Sequence, residues 1–284
     1  MQRSLSWVGL LALACGGCAH YEVRDAFEQS FEQTVEGPVT RVEVESSSGD
    51  VRIQGVPGAP VKVKGRISVY AGSQAKAREV AEQIARTPPV ERSGQVVSVG
   101  KHVDTGGHLF GGVSIDYEVV VPPELSAFVN SSSGDVEVSG LQGEVKVDSS
   151  SGEVKLRQVG SAKVSSSSGN VVLEGVAGDI EVDSSSGDVD VRATPGPKAR
   201  WDIEASSGDV TLTVAPDAAF QLDASTSSGN VKSEIPIRIR GTVDEDELHG
   251  KVGDRPSEAE VKLGTSSGDI RIREEGRGSP QASN

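Results

Sequence analysis

The chain has 284 residues, with 34 glycines, 13 prolines, 4% aromatic residues and a formal net charge of −14. Such a composition belongs to a turn-rich, all-β protein rather than a helical one. The acidic balance excludes a nucleic-acid partner, which requires a basic stripe to neutralise phosphates.

Met1-Gln2-Arg3 form a short positive region, and Leu5 to Ala14 form an apolar run too short to span a bilayer. Residues 1–14 therefore read as an export signal. Leu11-Ala12-Leu13-Ala14 lead into Cys15, which is followed by Gly16-Gly17-Cys18. Small and apolar residues just before a cysteine resemble the lipobox of bacterial lipoproteins. That resemblance implies that Cys15 becomes the lipidated first residue after cleavage, with Cys18 as the alternative. Two other readings stay open: an ordinary secretory signal with incidental cysteines, and a CxxC pair. Gly16 stands where an aspartate marks retention at the inner membrane, so the resemblance implies an exported lipoprotein of the outer membrane. No cysteine follows Cys18, so the exported part has no disulfide. Residues 15–38 read as lipid anchor and tether, with Phe27 and Phe31 starting the first strand.

Residues 39–133 read as a β-rich N-terminal cap. Alternation in Val61-Lys62-Val63, Ile67-Ser68-Val69, Val97 to Val99 and Ile115 to Val119 predicts strands. Residues 73–86 read as one short helix. Ala77, Val80, Ala81 and Ile84 share a face, Ser73 caps the start, and Pro88-Pro89 stops the end. Thr105 to Gly112 is rich in glycine but lacks the lysine and following helix of a phosphate loop, so it reads as a hairpin tip. Leu109 and Phe110 at that tip are a possible partner contact.

The remainder is dominated by a repeat. Ser-Ser-Gly followed by Asp, Glu or Asn and a β-branched residue occurs eight times, at Gly49, Gly134, Gly152, Gly169, Gly187, Gly208, Gly229 and Gly268. From Gly134 to Gly229 the spacings are 18, 17, 18, 21 and 21 residues. Two and four residues after the glycine the side chains are apolar (Val154 and Leu156, for example), with a variable residue between. Ser233 alone breaks the second column. A second apolar pair precedes each glycine, such as Val145 and Val147 or Trp201 and Ile203. Two short strands per period of about 18 residues, repeated in register, predict a β-solenoid over residues 134–275. Its coils stack at about 4.8 Å, and the bias of parallel connections predicts a right-handed coil. Glu137 falls beside Lys155 as an opposite-charge pair on the outer face. A sandwich with hairpin connections is the structural alternative. Val243-Asp244-Glu245-Asp246-Glu247 reads as an end loop, and residues 276–284 read as a disordered tail.

The Ser-Ser-Ser-Gly-Asp-Val-Glu-Val phrases, together with Thr265-Ser266-Ser267-Gly268-Asp269-Ile270, Leu248 to Gly253 and Tyr117 to Pro123, resemble the bacterial putative-adhesin family of β-strand-repeat proteins. Its members form a domain of unknown function, and it supplies no catalytic motif to carry over. The resemblance spans residues 39–275.

Candidate chemistry is sparse. The repeated serines suit corner hydrogen bonding rather than a nucleophile. His20, His102, His108 and His249 show no metal-ligand spacing. No catalytic residue, metal ligand or cofactor is expected. The acidic residues after each glycine would line up at coil spacing, where turn chemistry and a calcium ladder are the competing readings. The leading function is a lipid-anchored, non-catalytic cell-envelope protein. Its expected partners are the membrane and an unidentified envelope protein or surface glycan. The alternatives are a polysaccharide-acting β-helix enzyme and a calcium-dependent binding module.

Overall fold

The computed structural model describes residues 26–103, 112–239 and 245–276. The elements begin with β1 (Phe27–Val35), β2 (Arg41–Ser46), β3 (Val51–Gly55), β4 (Val61–Val69), α1 (Gln74–Arg86), β5 (Val90–Ser93), β6 (Val96–Val99) and β7 (Val113–Val121). Five coils follow, each of two strands. They are β8 (Ser126–Ser131) and β9 (Val136–Ser139), β10 (Glu144–Ser149) and β11 (Val154–Arg157), and β12 (Ser161–Ser166) and β13 (Val171–Glu174). Next come β14 (Ile180–Ser186) and β15 (Val189–Arg192), then β16 (Arg200–Ser207) and β17 (Val210–Val214). The chain closes with β18 (Phe220–Thr226), β19 (Val231–Ser233), β20 (Ile237–Ile239), β21 (Glu247–Val252), β22 (Glu260–Ser267) and β23 (Ile270–Glu274).

The first strand of each coil joins one sheet and the second joins the other, so both sheets are parallel through the coils. Register keeps apolar residues opposite apolar residues from coil to coil. Val136, Val154, Val171, Val189 and Val210 form one inward column. Ala127, Val145, Ala162, Ile180, Trp201 and Val261 form the facing one. These side chains are buried in a single core, as period-two alternation with one apolar face requires. Trp201 fits there because its indole N–H donates to the Gly178 carbonyl at 2.9 Å, which satisfies its one polar atom.

Stacking order departs from chain order at both ends. β22 lies between β16 and β18, and β23 lies between β17 and β19. The coil of Gly268 is therefore inserted between the coils of Gly208 and Gly229. At the other end, β2 lies between β6 and β8 and β3 between β7 and β9. Residues 41–55 thus form an interior coil, and β8 already belongs to the coil of Gly134. This corrects the reading of 39–133 as a cap throughout. The flanking parallel strands bury Val42, Val44, Val51 and Ile53 on both sides. The cap proper comprises β1, β4 and β7 on one sheet, β5 and β6 on the other, and α1. Residues 27–35, expected at the end of the tether, pair with β4 along their whole length.

The helix packs on β1 and β4 through buried Ala77, Val80, Ala81 and Ile84. The Lys76 N–H donates to Ser73 Oγ at 3.3 Å, an N-cap. Cys15, Cys18, His20, His108, most of the 105–112 tip, Val243, Asp244 and residues 277–284 lie outside the described residues.

Candidate functional surfaces

The repeated corner is a close-approach site for backbone. All eight glycines have positive φ, from 107° at Gly49 and Gly152 to 156° at Gly229. A Cβ at Gly169 would stand 2.1 Å from the Gly152 carbonyl oxygen, and one at Gly268 the same distance from that of Gly208. Glycine is required twice over, for the left-handed turn and for rung-to-rung contact.

The Asp or Asn after six of the eight glycines accepts a hydrogen bond from the next coil. Asp50 Oδ1 accepts the Asp135 N–H at 3.0 Å, and Asp135 Oδ1 accepts the Glu153 N–H at 2.8 Å. Further along, Asn170 accepts from Asp188, Asp188 from Asp209, Asp209 from Asp269 and Asp269 from Asn230. These side chains were expected to bond their own turn; stacking at rung distance brings the next coil's N–H into reach instead. Three residues before the glycine lies a buried column of Ser46, Ser131, Ser149, Ser166, Ser184, Thr226 and Thr265. Five of its hydroxyls donate to corner carbonyls, as Ser46 does to Gly49 at 3.1 Å and Thr265 does to Gly208 at 3.1 Å, whereas those of Ser131 and Ser166 have no partner among the described residues.

The outer face of the β3-containing sheet carries a climbing series of ion pairs. Glu137 lies in register with Lys155, but it bridges Arg52 at 3.0 Å and Arg157. The guanidinium groups reach further than the expected lysine partner and pair from both sides. Arg157 also reaches Glu174 at 3.0 Å, and Arg192 reaches Asp190 at 2.8 Å. The hydrogen bond from Arg52 holds the Glu137 carboxyl below the usual glutamate range, against the opposing effect of desolvation. Asp209 is likewise held down, first by Arg271 and then by the Asp269 N–H. This face carries an open groove of about 730 Å³ lined by Glu32, Arg52, Lys64, Arg66, Lys155 and Glu153 among others.

The opposite face bears Lys163 bonded to Glu181 at 2.5 Å and Lys262 bonded to Glu204, with Asp202 at 3.4 Å. A shallower trough of about 450 Å³ runs between a column of Asn130, Asp148, Asp183 and Glu204 and the neighbouring corner serines. On the same sheet, His249 of β21 sits between Glu247 (Nε2–Oε1 2.6 Å) and Asp223 (Nδ1–Oδ1 3.1 Å). The Glu247 hydrogen bond raises its pKa above the usual histidine value. His102 is exposed, away from this cluster.

Among the described residues no group of three or more His, Cys, Asp or Glu side chains could hold a metal ion. None of their helices is long and apolar enough to cross a membrane. The cross-coil carboxylate bonds and the inserted coil were not read from the sequence. Alternating charge at Arg157, Glu174 and Arg192, five residues after successive glycines, was the available signal for the ion-pair series. Ser233 was the signal for an end coil.

A family model described as Toastrack DUF4097 matches residues 125–273. No curated protein matches the chain. Among solved structures, similarity extends to a putative adhesin from Parabacteroides distasonis, at 12% identity and TM-score 0.41, covering 88% of this chain and 98% of that one. It extends also to a putative cell adhesion protein from Clostridium sporogenes, at 12% identity and TM-score 0.38, covering 88% and 100%. A putative adhesin from Bacteroides fragilis is similar at 10% identity and TM-score 0.37, covering 87% and 97%.

Proposed function

The chain belongs to the Toastrack DUF4097 family, and from that premise we propose that it is a non-catalytic, lipid-anchored scaffold of the cell envelope. Cys15 carries the lipid, and the outer sheet faces bind an envelope protein or surface glycan.

One observation carries the non-catalytic part of this reading. Every carboxyl with a shifted pKa among the described residues (Glu32, Glu137, Asp209 and Asp269) is shifted downward, by a Lys, an Arg or a neighbouring coil's N–H. Glycoside hydrolysis needs a carboxyl that keeps its proton near neutral pH. These groups are set the other way, as partners of fixed cations or backbone N–H groups.

The anchor reading rests on the apolar run into Cys15, and the place of β1 in its sheet sets the orientation that such an anchor would impose. β1 is the outermost strand of its sheet at the cap end. Residues 16–26 between Cys15 and β1 span at most roughly 40 Å when extended. The cap would then face the membrane, and the Gly229 end of the stack would be distal. Lipid labelling in cells tests the anchor: Cys15→Ser is expected to abolish incorporation and leave an uncleaved precursor. Labelling that survives in Cys15→Ser and disappears only with Cys18→Ser moves the site. Cross-linking from intact cells tests the scaffold, and recovery of no envelope protein or glycan with the wild-type chain counts against it.

A further inference from the structure

We infer that residues 260–274 form an exchangeable coil, and that the slot between residues 200–214 and 220–233 accepts the C-terminal coil of a second copy of this chain. The inference stands apart from the anchor and the scaffold reading.

The slot is built from segments made earlier in the chain. β16 and β17 form one wall and β18 and β19 the other, while β22 and β23 fill the space between. Until the last coil arrives, both walls present unpaired strand edges, which are templates for any matching strand. Recognition inside the slot is specific. Val261 lies between Trp201 and Leu222, and Ile270 lies between Val210 and Val231. Asp209 accepts the Asp269 N–H at 2.8 Å, and Asp269 accepts the Asn230 N–H at 3.0 Å. Backbone bonds close both sides, from Val210 N–H to Asp269 O and from Ile270 N–H to Asn230 O, each 3.0 Å.

All of these contacts are the same whichever copy donates the coil. The donor is joined to β21 only by residues 253–259, seven positions that reach about 24 Å when extended. Exchange of an identical element is a low-cost route to a closed twofold dimer, because only the hinge changes. The outcome then depends on concentration at the moment the last coil inserts.

Asp202 and Lys262 are in register across the slot wall, on adjacent strands at a spacing a disulfide can bridge. Both are half exposed. In full chains carrying Cys15→Ser and Cys18→Ser, one preparation receives Asp202→Cys and another Lys262→Cys. They are mixed at high concentration, taken through the thermal transition, cooled and oxidised. A disulfide-linked pair of unlike chains is expected, well above that formed by Lys262→Cys mixed with Lys155→Cys. The single chain bearing both Asp202→Cys and Lys262→Cys is expected to close internally at low concentration. Cross-linking no greater than the Lys155→Cys control overturns the exchange, and failure of the internal disulfide overturns the slot geometry on which it rests.

Discussion

Asp135 Oδ1 lies 2.8 Å from the backbone nitrogen of Glu153, the same corner position one coil further along. The bond recurs along the stack until Glu153, whose carboxylate accepts no N–H from Asn170 among the described residues. One extra methylene carries the glutamate oxygen past the rung. Glu153→Asp is expected to restore the missing bond and add about 0.5–1.5 kcal/mol. A thermal unfolding midpoint raised by a few degrees is the readout, and an unchanged or lower midpoint counts against the ladder.

The same bonds bear on calcium. An ion between coils needs six to eight oxygens, yet one oxygen of each bonding Asp or Asn already accepts a backbone N–H. Millimolar calcium and EDTA are expected to give the same unfolding midpoint. A rise of ten degrees or so with calcium but not magnesium would show a bound ion stabilising the native state, and would make the calcium module, until then an alternative, the leading function.

Val171 is stacked between Val154 and Val189 and is fully buried. Val171→Asp places a carboxylate there with no partner and is expected to cost several kcal/mol, enough to abolish cooperative folding. Lys155 points outward and leaves Glu137 to the arginines, so Lys155→Ala is expected to change stability by no more than about 0.5 kcal/mol. Urea unfolding of the two variants checks the pair; similar losses at both sites would place the column wrongly.

Position within a coil was legible because side-chain type repeats with the strand: Val154, Val171 and Val189 announce one column, and Gly152, Gly169 and Gly187 announce one corner. Stacking order was not, because the motif is nearly the same in every coil and cannot say which coil touches which. Only departures from the motif hold that information. Ser233 and Lys232 suit a strand with one neighbour, whereas Ile270 and Ile272 suit one with two, and the inserted coil follows from that contrast. Among the candidate sites, glycine spacing exposed the corners. The partner of Glu137 depended on side-chain reach, which register alone does not give.

Two shifted groups predict opposite pH limbs. The Glu137 carboxyl is held below its ordinary value of 4.5, so its contribution to stability is full above that pH and is lost as pH falls through the folded value. The His249 imidazole is held above its ordinary 6.5. Its contribution is therefore full below 6.5 and is lost as pH rises through the folded value. Both limbs are shallow, because the partners are partly exposed and screened. The stability difference between wild type and Glu137→Gln is expected at neutral pH and should vanish in acid. For His249 the readout is local. Amide exchange in residues 247–252, corrected for intrinsic rate, is expected to accelerate as pH rises above 6.5 and through the raised folded value. His249→Gln is expected to exchange at one corrected rate across that range. Equal pH dependence in the two proteins would mean that the pair between His249 and Asp223 does not hold β21 on β18.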